Sequence, residues 1–125
     1  MEYVWVGIGG FLGANARYAL GAWIVGRWGT GFPIHTMLIN VTGSFLIGAL
    51  LVLLTERLAV DPAWRLLLVV GFLGGYTTFS SFSLQTAALV EQGHGLAARI
   101  NVIGSVVLCV GACWLSYVGT AALMR

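Results

Sequence analysis

The chain has 125 residues, of which 59% are apolar and only 8% charged, against about 25% charged in an ordinary soluble domain. That much apolar surface has no place in one small water-soluble core, so lipid is the solvent that suits it. The net charge of +2, with every cation an arginine and no basic cluster, points away from nucleic acid.

A hydrocarbon layer of roughly 30 Å is crossed by about 20 apolar residues of helix. Four segments fit, and they predict transmembrane helices at about 3–25, 34–55, 64–90 and 100–123 of a single domain, 1–125. The opening MEYVWVGIGG carries an acidic residue where a signal peptide carries basic ones, so no cleaved leader is expected. Gly7, Gly9, Gly10, Gly13 and Gly21 line the first span, where small residues let helices approach closely in lipid. Arg17 is a charge well inside that span. It either snorkels to the interface or sits in an aqueous vestibule and concentrates anions there.

In the second span, TMLINVTGSFLIG holds Asn40. A carboxamide in hydrocarbon needs partners. It either joins two helices or lines an ion path with its NH₂ toward an anion. Asp61-Pro62 reads as an N-cap followed by proline at the first helical position. The third span contains GFLGGYTTFSSFS, residues 71–83. Paired glycines lower helix propensity, and threonine and serine offer the backbone other partners. These residues predict a break near 74–78. Broken backbone at membrane depth is tolerated only in protein or beside a cavity, where freed carbonyls suit a hard cation. The alternative is a continuous helix with Ser and Thr bonded back to the preceding turn.

Phe79 and Phe82 share one face of this helix, and their electropositive ring edges can meet an anion without holding it tightly. On the fourth span, Asn101, Ser105 and Cys109 recur at intervals of four. Such a stripe serves either a small anion or helix–helix hydrogen bonds. Cys109 and Cys113 read as small buried hydrophobes rather than a disulfide or metal ligands.

With four spans both termini lie on one side, with Arg57, Arg65 and Arg125; Arg27, Arg99 and Arg17 belong to the other. Three against three gives the positive-inside rule little to act on. Either the subunit inserts both ways, which permits an antiparallel dimer, or other context sets one orientation. Glu2, Glu56, Asp61 and Glu91 are terminal or in connections. The spans therefore lack the embedded carboxylate that a proton-coupled small multidrug exporter needs, and no nucleophile–base pair suggests an enzyme.

GGFLGANARY at 9–18, NVTGSFLIG at 40–48 and GFLGGYTTFSSFS at 71–83 together resemble the Fluc fluoride channel family, also called CrcB, over essentially the whole chain. The resemblance implies an all-α membrane protein of four transmembrane helices with a break in the third. It implies a dual-topology antiparallel homodimer in the bacterial cell membrane, with two pores at the subunit interface. Its activity would be passive, selective export of fluoride. It also implies a structural Na⁺ at the dimer interface, held by the carbonyls of Gly74 and Thr77. The pore phenylalanines fall on Phe79 and Phe82, the second-helix asparagine on Asn40 and the vestibule arginine on Arg17. Thr78 and Ser81 are implied pore hydroxyls. TTFSSF stands where TTFSTF is common, and the fourth-helix match rests on Asn101, Ser105 and Cys109.

Overall fold

A computed structural model describes residues 1–57 and 60–125. Its bundle has four long helical units. α1 (Glu2–Trp28) is one uninterrupted helix. α2 (Ile34–Val52) runs on through a π-helical turn, Leu53–Arg57. The third unit is assembled from α3 (Pro62–Arg65), a π-helical stretch Leu66–Leu73, α4 (Gly74–Tyr76) and α5 (Phe79–Glu91). α6 (Gly95–Leu123) follows.

The helix ends have local causes. Asp61 Oδ1 accepts the Ala63 N–H at 2.9 Å. Pro62 stands in the first turn, where a missing N–H costs nothing. α1 stops at Gly29, whose φ of 76° belongs to the left-handed region open to glycine, with its N–H returned to Val25 O. α6 starts at Gly95 rather than near residue 100. Hydropathy marks where the hydrocarbon ends, but backbone hydrogen bonding carries the helix a further turn into the polar layer.

Among the described residues, three helices are long and apolar enough to cross a membrane: Ile34–Glu56, Pro62–Glu91 and Gly95–Leu123. α1 has the length, at 27 residues, but is less apolar, carrying Glu2, Asn15, Arg17 and Arg27. Large side chains such as Phe11, Val107, Trp114 and Leu115 face outward, as they do when lipid is the solvent.

Lipid supplies no hydrophobic force between helices, so close backbone contact and hydrogen bonds must hold the bundle. α2 lies along α6, and α1 lies along the π-helical stretch. That second contact is a backbone seam. A Cβ at Gly9 would strike the Leu67 carbonyl oxygen, and one at Gly13 the carbonyl oxygen of Phe72. The π-helical winding runs through LLLVVGFL, a sequence apolar on every side, so rewinding it turns no polar side chain toward lipid. A small buried cluster of Ile39, Leu73 and Tyr76 sits below the seam. Phe72 stacks on Tyr76 at 5.9 Å and 12°, and the Tyr76 hydroxyl bonds Thr42 Oγ1 at 2.8 Å.

Gly13→Val should lower stability by about 1–3 kcal/mol or more through overpacking. Gly7→Ala should be near neutral, since nothing lies within 4 Å of a Cβ there. Thermal unfolding in detergent separates the two. Equal melting temperatures would refute the backbone seam.

Candidate ion pathway

The third unit breaks at two residues. Thr77 (φ −83°, ψ 156°) and Thr78 (φ −150°, ψ 120°) are extended between α4 and α5. Thr77 remains tied to the turn before it, its N–H and Oγ1 both donating to Leu73 O, at 3.0 and 2.9 Å. Thr78 leaves the helix for Asn40. The Thr78 N–H donates to Asn40 Oδ1 at 2.8 Å, and Asn40 Nδ2 donates to Thr78 O at 3.0 Å. α5 then restarts with Thr78 as its cap, Oγ1 accepting the Ser81 N–H at 3.2 Å.

This exchange has a backbone consequence. In an unbroken helix the Gly74 carbonyl would accept from the Thr78 N–H, and the Thr77 carbonyl from the Ser81 N–H. Both amides are committed elsewhere. The Gly74 and Thr77 carbonyls are thus released from the helical ladder. The carbonyl of Gly75 is engaged by Arg17, whose Nε donates to it at 3.1 Å. Arg17 is therefore drawn to the break rather than extended toward the interface.

Two grooves flank the break. The larger, of about 600 Å³, is lined by Asn40, Gly74, Thr77, Thr78, Phe79, Phe82 and Ser105, with Ser44 and Cys109. Phe79 and Phe82 meet edge to face, centroids 5.3 Å apart at 74°, and Phe79 is 68% exposed. The smaller groove, of about 290 Å³, holds Arg17 and Ser81 with Tyr18, His35 and Gln85, and Thr78 lines both. The fourth-helix stripe divides. Ser105 and Cys109 face the larger groove. Asn101 is buried and donates from Nδ2 to Thr86 Oγ1 at 2.8 Å, joining α6 to α5. Its Oδ1 accepts from Ser105 Oγ at 3.4 Å.

Sequence reading did not find His35, Gln85 or the Thr42–Tyr76 bond. Gln85 carried a signal, being a carboxamide inside a predicted span and two helical turns beyond Thr78. Among the described residues no group of three or more His, Cys, Asp or Glu is placed to hold a metal.

Long apolar helices around a polar break define a multi-pass protein of the cell membrane. A family model described as CrcB-like protein, Camphor Resistance (CrcB), matches residues 4–117. The chain is 54% identical over 114 residues to the fluoride-specific ion channel FluC of Solibacter usitatus, covering 91% of this chain and 93% of that one. It is 48% identical over 125 residues to the FluC of Koribacter versatilis, covering 99% and 95% of the two. The FluC of Acidobacterium capsulatum is 47% identical over 118 residues, 94% of each chain. The chain belongs to the CrcB/FluC fluoride channel family, whose members are channels and not enzymes.

Asn40→Leu should cost roughly 2–4 kcal/mol, because it strands both backbone groups of Thr78 away from water. Thr42→Val, which removes the bond with the Tyr76 hydroxyl and the bonds back to Leu38 O and Ile39 O but strands no backbone N–H, should cost about 1 kcal/mol. Chemical or thermal unfolding of the detergent-solubilised variants measures the difference, and a milder effect for Asn40→Leu would contradict the reciprocal pairing.

Proposed function

We infer that this chain is a passive fluoride channel that lowers cytoplasmic fluoride. It would work as a dual-topology antiparallel homodimer with two pores at the subunit interface. One observation carries the reading most: the larger groove gathers Asn40, Thr78, Phe79, Phe82 and Ser105 beside the helix break. The relatives named as fluoride-specific channels match nearly the full chain. A single subunit leaves this groove open toward exposed Val106 and Val110, so a second copy is the natural wall. Two-fold pairing of inverted subunits would repeat the groove, giving two pores. The near-equal arginine count on the two sides favours insertion both ways. α1 crosses the membrane as the fourth span in this reading, with Arg17 turned to the Gly75 carbonyl and Asn15 bonded back to Phe11 O.

The residues divide the work. Asn40 Nδ2 carries two hydrogens; one is spent on Thr78 O, and the other is available to an anion. Phe79 and Phe82 offer ring edges, which attract fluoride weakly enough to release it. Thr78, Ser81 and Ser105 provide hydroxyls along the path. Arg17, in the smaller groove with Ser81, raises the anion concentration near the break. Selectivity follows from replacing the shell of a small, strongly hydrated ion with many modest donors.

The released carbonyls of Gly74 and Thr77 fit a hard monovalent cation such as Na⁺, since they are uncharged oxygens without helical donors. Four would meet at the interface, two from each copy. A bound Na⁺ would supply charge to hold the two breaks together. In this chain the part of Asn40 is to draw the Thr78 N–H away so that the Gly74 carbonyl is free.

Liposomes holding the purified protein should release fluoride rapidly and chloride not at all. Phe82→Ile should slow fluoride release at least roughly tenfold, a barrier change of about 1.4 kcal/mol, with the dimer intact. Replacing Na⁺ by a large organic cation should abolish release without opening a chloride leak. No fluoride release from assembled wild-type dimers would sink the reading.

A further inference from the structure

α1 carries tryptophan at both ends, and the two ends differ in chemistry. At the C-terminal end the Arg27 guanidinium lies over Trp23 and Trp28, 5.6 and 5.9 Å from the ring centres. The aromatic faces there are met by the chain's own cation. At the N-terminal end Trp5 and Trp64 line a cavity of about 210 Å³ together with Asp61, Ala63 and Leu67. Among the described residues no arginine lies over either of these rings. Trp64 is 50% exposed and Trp5 half-buried.

A carboxylate stands at this end where the guanidinium stands at the other. Capping fixes it in place. Asp61 Oδ1 accepts the Ala63 N–H at 2.9 Å, and the Asp61 carbonyl accepts the Trp64 N–H at 3.0 Å. Oδ2 has no hydrogen-bond partner among the described residues. Two aromatic rings and a negative oxygen around one cavity suit an organic ammonium ion. Ring faces attract the cation, and the carboxylate takes its N–H groups. The partial positive charge at a helix start, about half a unit, is smaller than the full charge of the carboxylate. A bare metal ion would need more oxygens than one carboxylate supplies.

The membrane is the source of such a cation. Trp5 lies near the start of α1 and Trp64 near the start of the third unit. The cavity is therefore at the end of the bundle, where hydrocarbon gives way to headgroups. Leu67 adds an apolar wall about one turn deeper. Arg65 is exposed and follows Asp61 at the spacing of one helical turn, within reach of the phosphate of the same lipid. We propose that Trp5, Asp61 and Trp64 form a headgroup site for a phospholipid with a primary ammonium, such as phosphatidylethanolamine. The site does not depend on which ion the protein passes. Leu67 also belongs to the glycine seam, where its carbonyl oxygen faces Gly9. A lipid seated here braces α1 against the start of the third unit.

The test is thermal unfolding of the detergent-solubilised protein, titrated with dioctanoyl phosphatidylethanolamine. Binding to the folded form should raise the melting temperature by roughly 2 °C or more at saturation. Dioctanoyl phosphatidylglycerol, which lacks the ammonium, should give a shift at least roughly threefold smaller. Free ethanolamine at the same concentration should give none. Asp61→Asn keeps a capping oxygen and removes only the charge. It should melt as the wild type does without lipid, and bind phosphatidylethanolamine roughly fivefold more weakly or worse. Trp64→Leu should weaken binding to a similar degree. Trp28→Leu, at the other end of α1, should keep the full response. Equal shifts from the two lipids, or an undiminished response in Asp61→Asn, overturns the site. Loss of the response in Trp28→Leu also overturns it, by assigning the effect to interfacial tryptophans in general. A shift from ethanolamine alone as large as the lipid's overturns the lipid as occupant. Where Trp64→Leu does not fold, Asp61→Asn carries the test alone.

Discussion

The arrangement depends on the two hydrogen bonds that Asn40 exchanges with the backbone of Thr78. In hydrocarbon no water is present to satisfy an interrupted helix, so a break survives only if protein groups replace the lost bonds. One carboxamide does this for both the N–H and the C=O of the same residue. Because it lies on α2, the break is also fixed in position relative to a second helix. Without it, the N–H and C=O of Thr78 would both be left unpaired at membrane depth. The groove, the released carbonyls and the aim of the two phenylalanines all follow from that single substitution of partners.

Most of this was legible from residue types set in the wrong solvent. Asn40 is costly in lipid unless bonded, and GGYTT weakens a helix at membrane depth, but only the fold pairs the one with the other. Phe79 and Phe82 share a face by spacing alone. What stayed hidden depended on packing between distant segments. The π-helical stretch Leu66–Leu73 has no sequence signature, since LLLVVGFL is equally apolar in either winding. Arg17 left two readings open, and its choice was set by Gly75 O, 58 residues away. Asn101, Ser105 and Cys109 form one stripe by period, yet Asn101 is taken by Thr86 across the α5–α6 contact. Periodicity reports a shared face. It does not report what that face meets.

The polar side chains therefore fall into two kinds. Asn101 and Thr42 are spent on bonds between helices, as polar residues in membrane proteins commonly are. Asn40 is only partly spent, since one of its two amide hydrogens is used on Thr78 O and it lines the larger groove. His35 and Gln85 belong with the second kind, bonded to each other with one atom apiece left over. In a low-dielectric setting such leftover capacity is expensive. It is the part of the polar inventory that stability does not account for.

The seam of α1 also bears on how the chain is made. α1 leaves the ribosome first, yet it is less apolar than the three helices that follow. The backbone that fits its glycine face, around Leu67 and Phe72, is synthesised more than 50 residues later, as is the carbonyl that receives Arg17. The glycine seam and the Arg17 contact can therefore close only after the third unit has been synthesised, so the packing of α1 is among the later events in the making of this bundle.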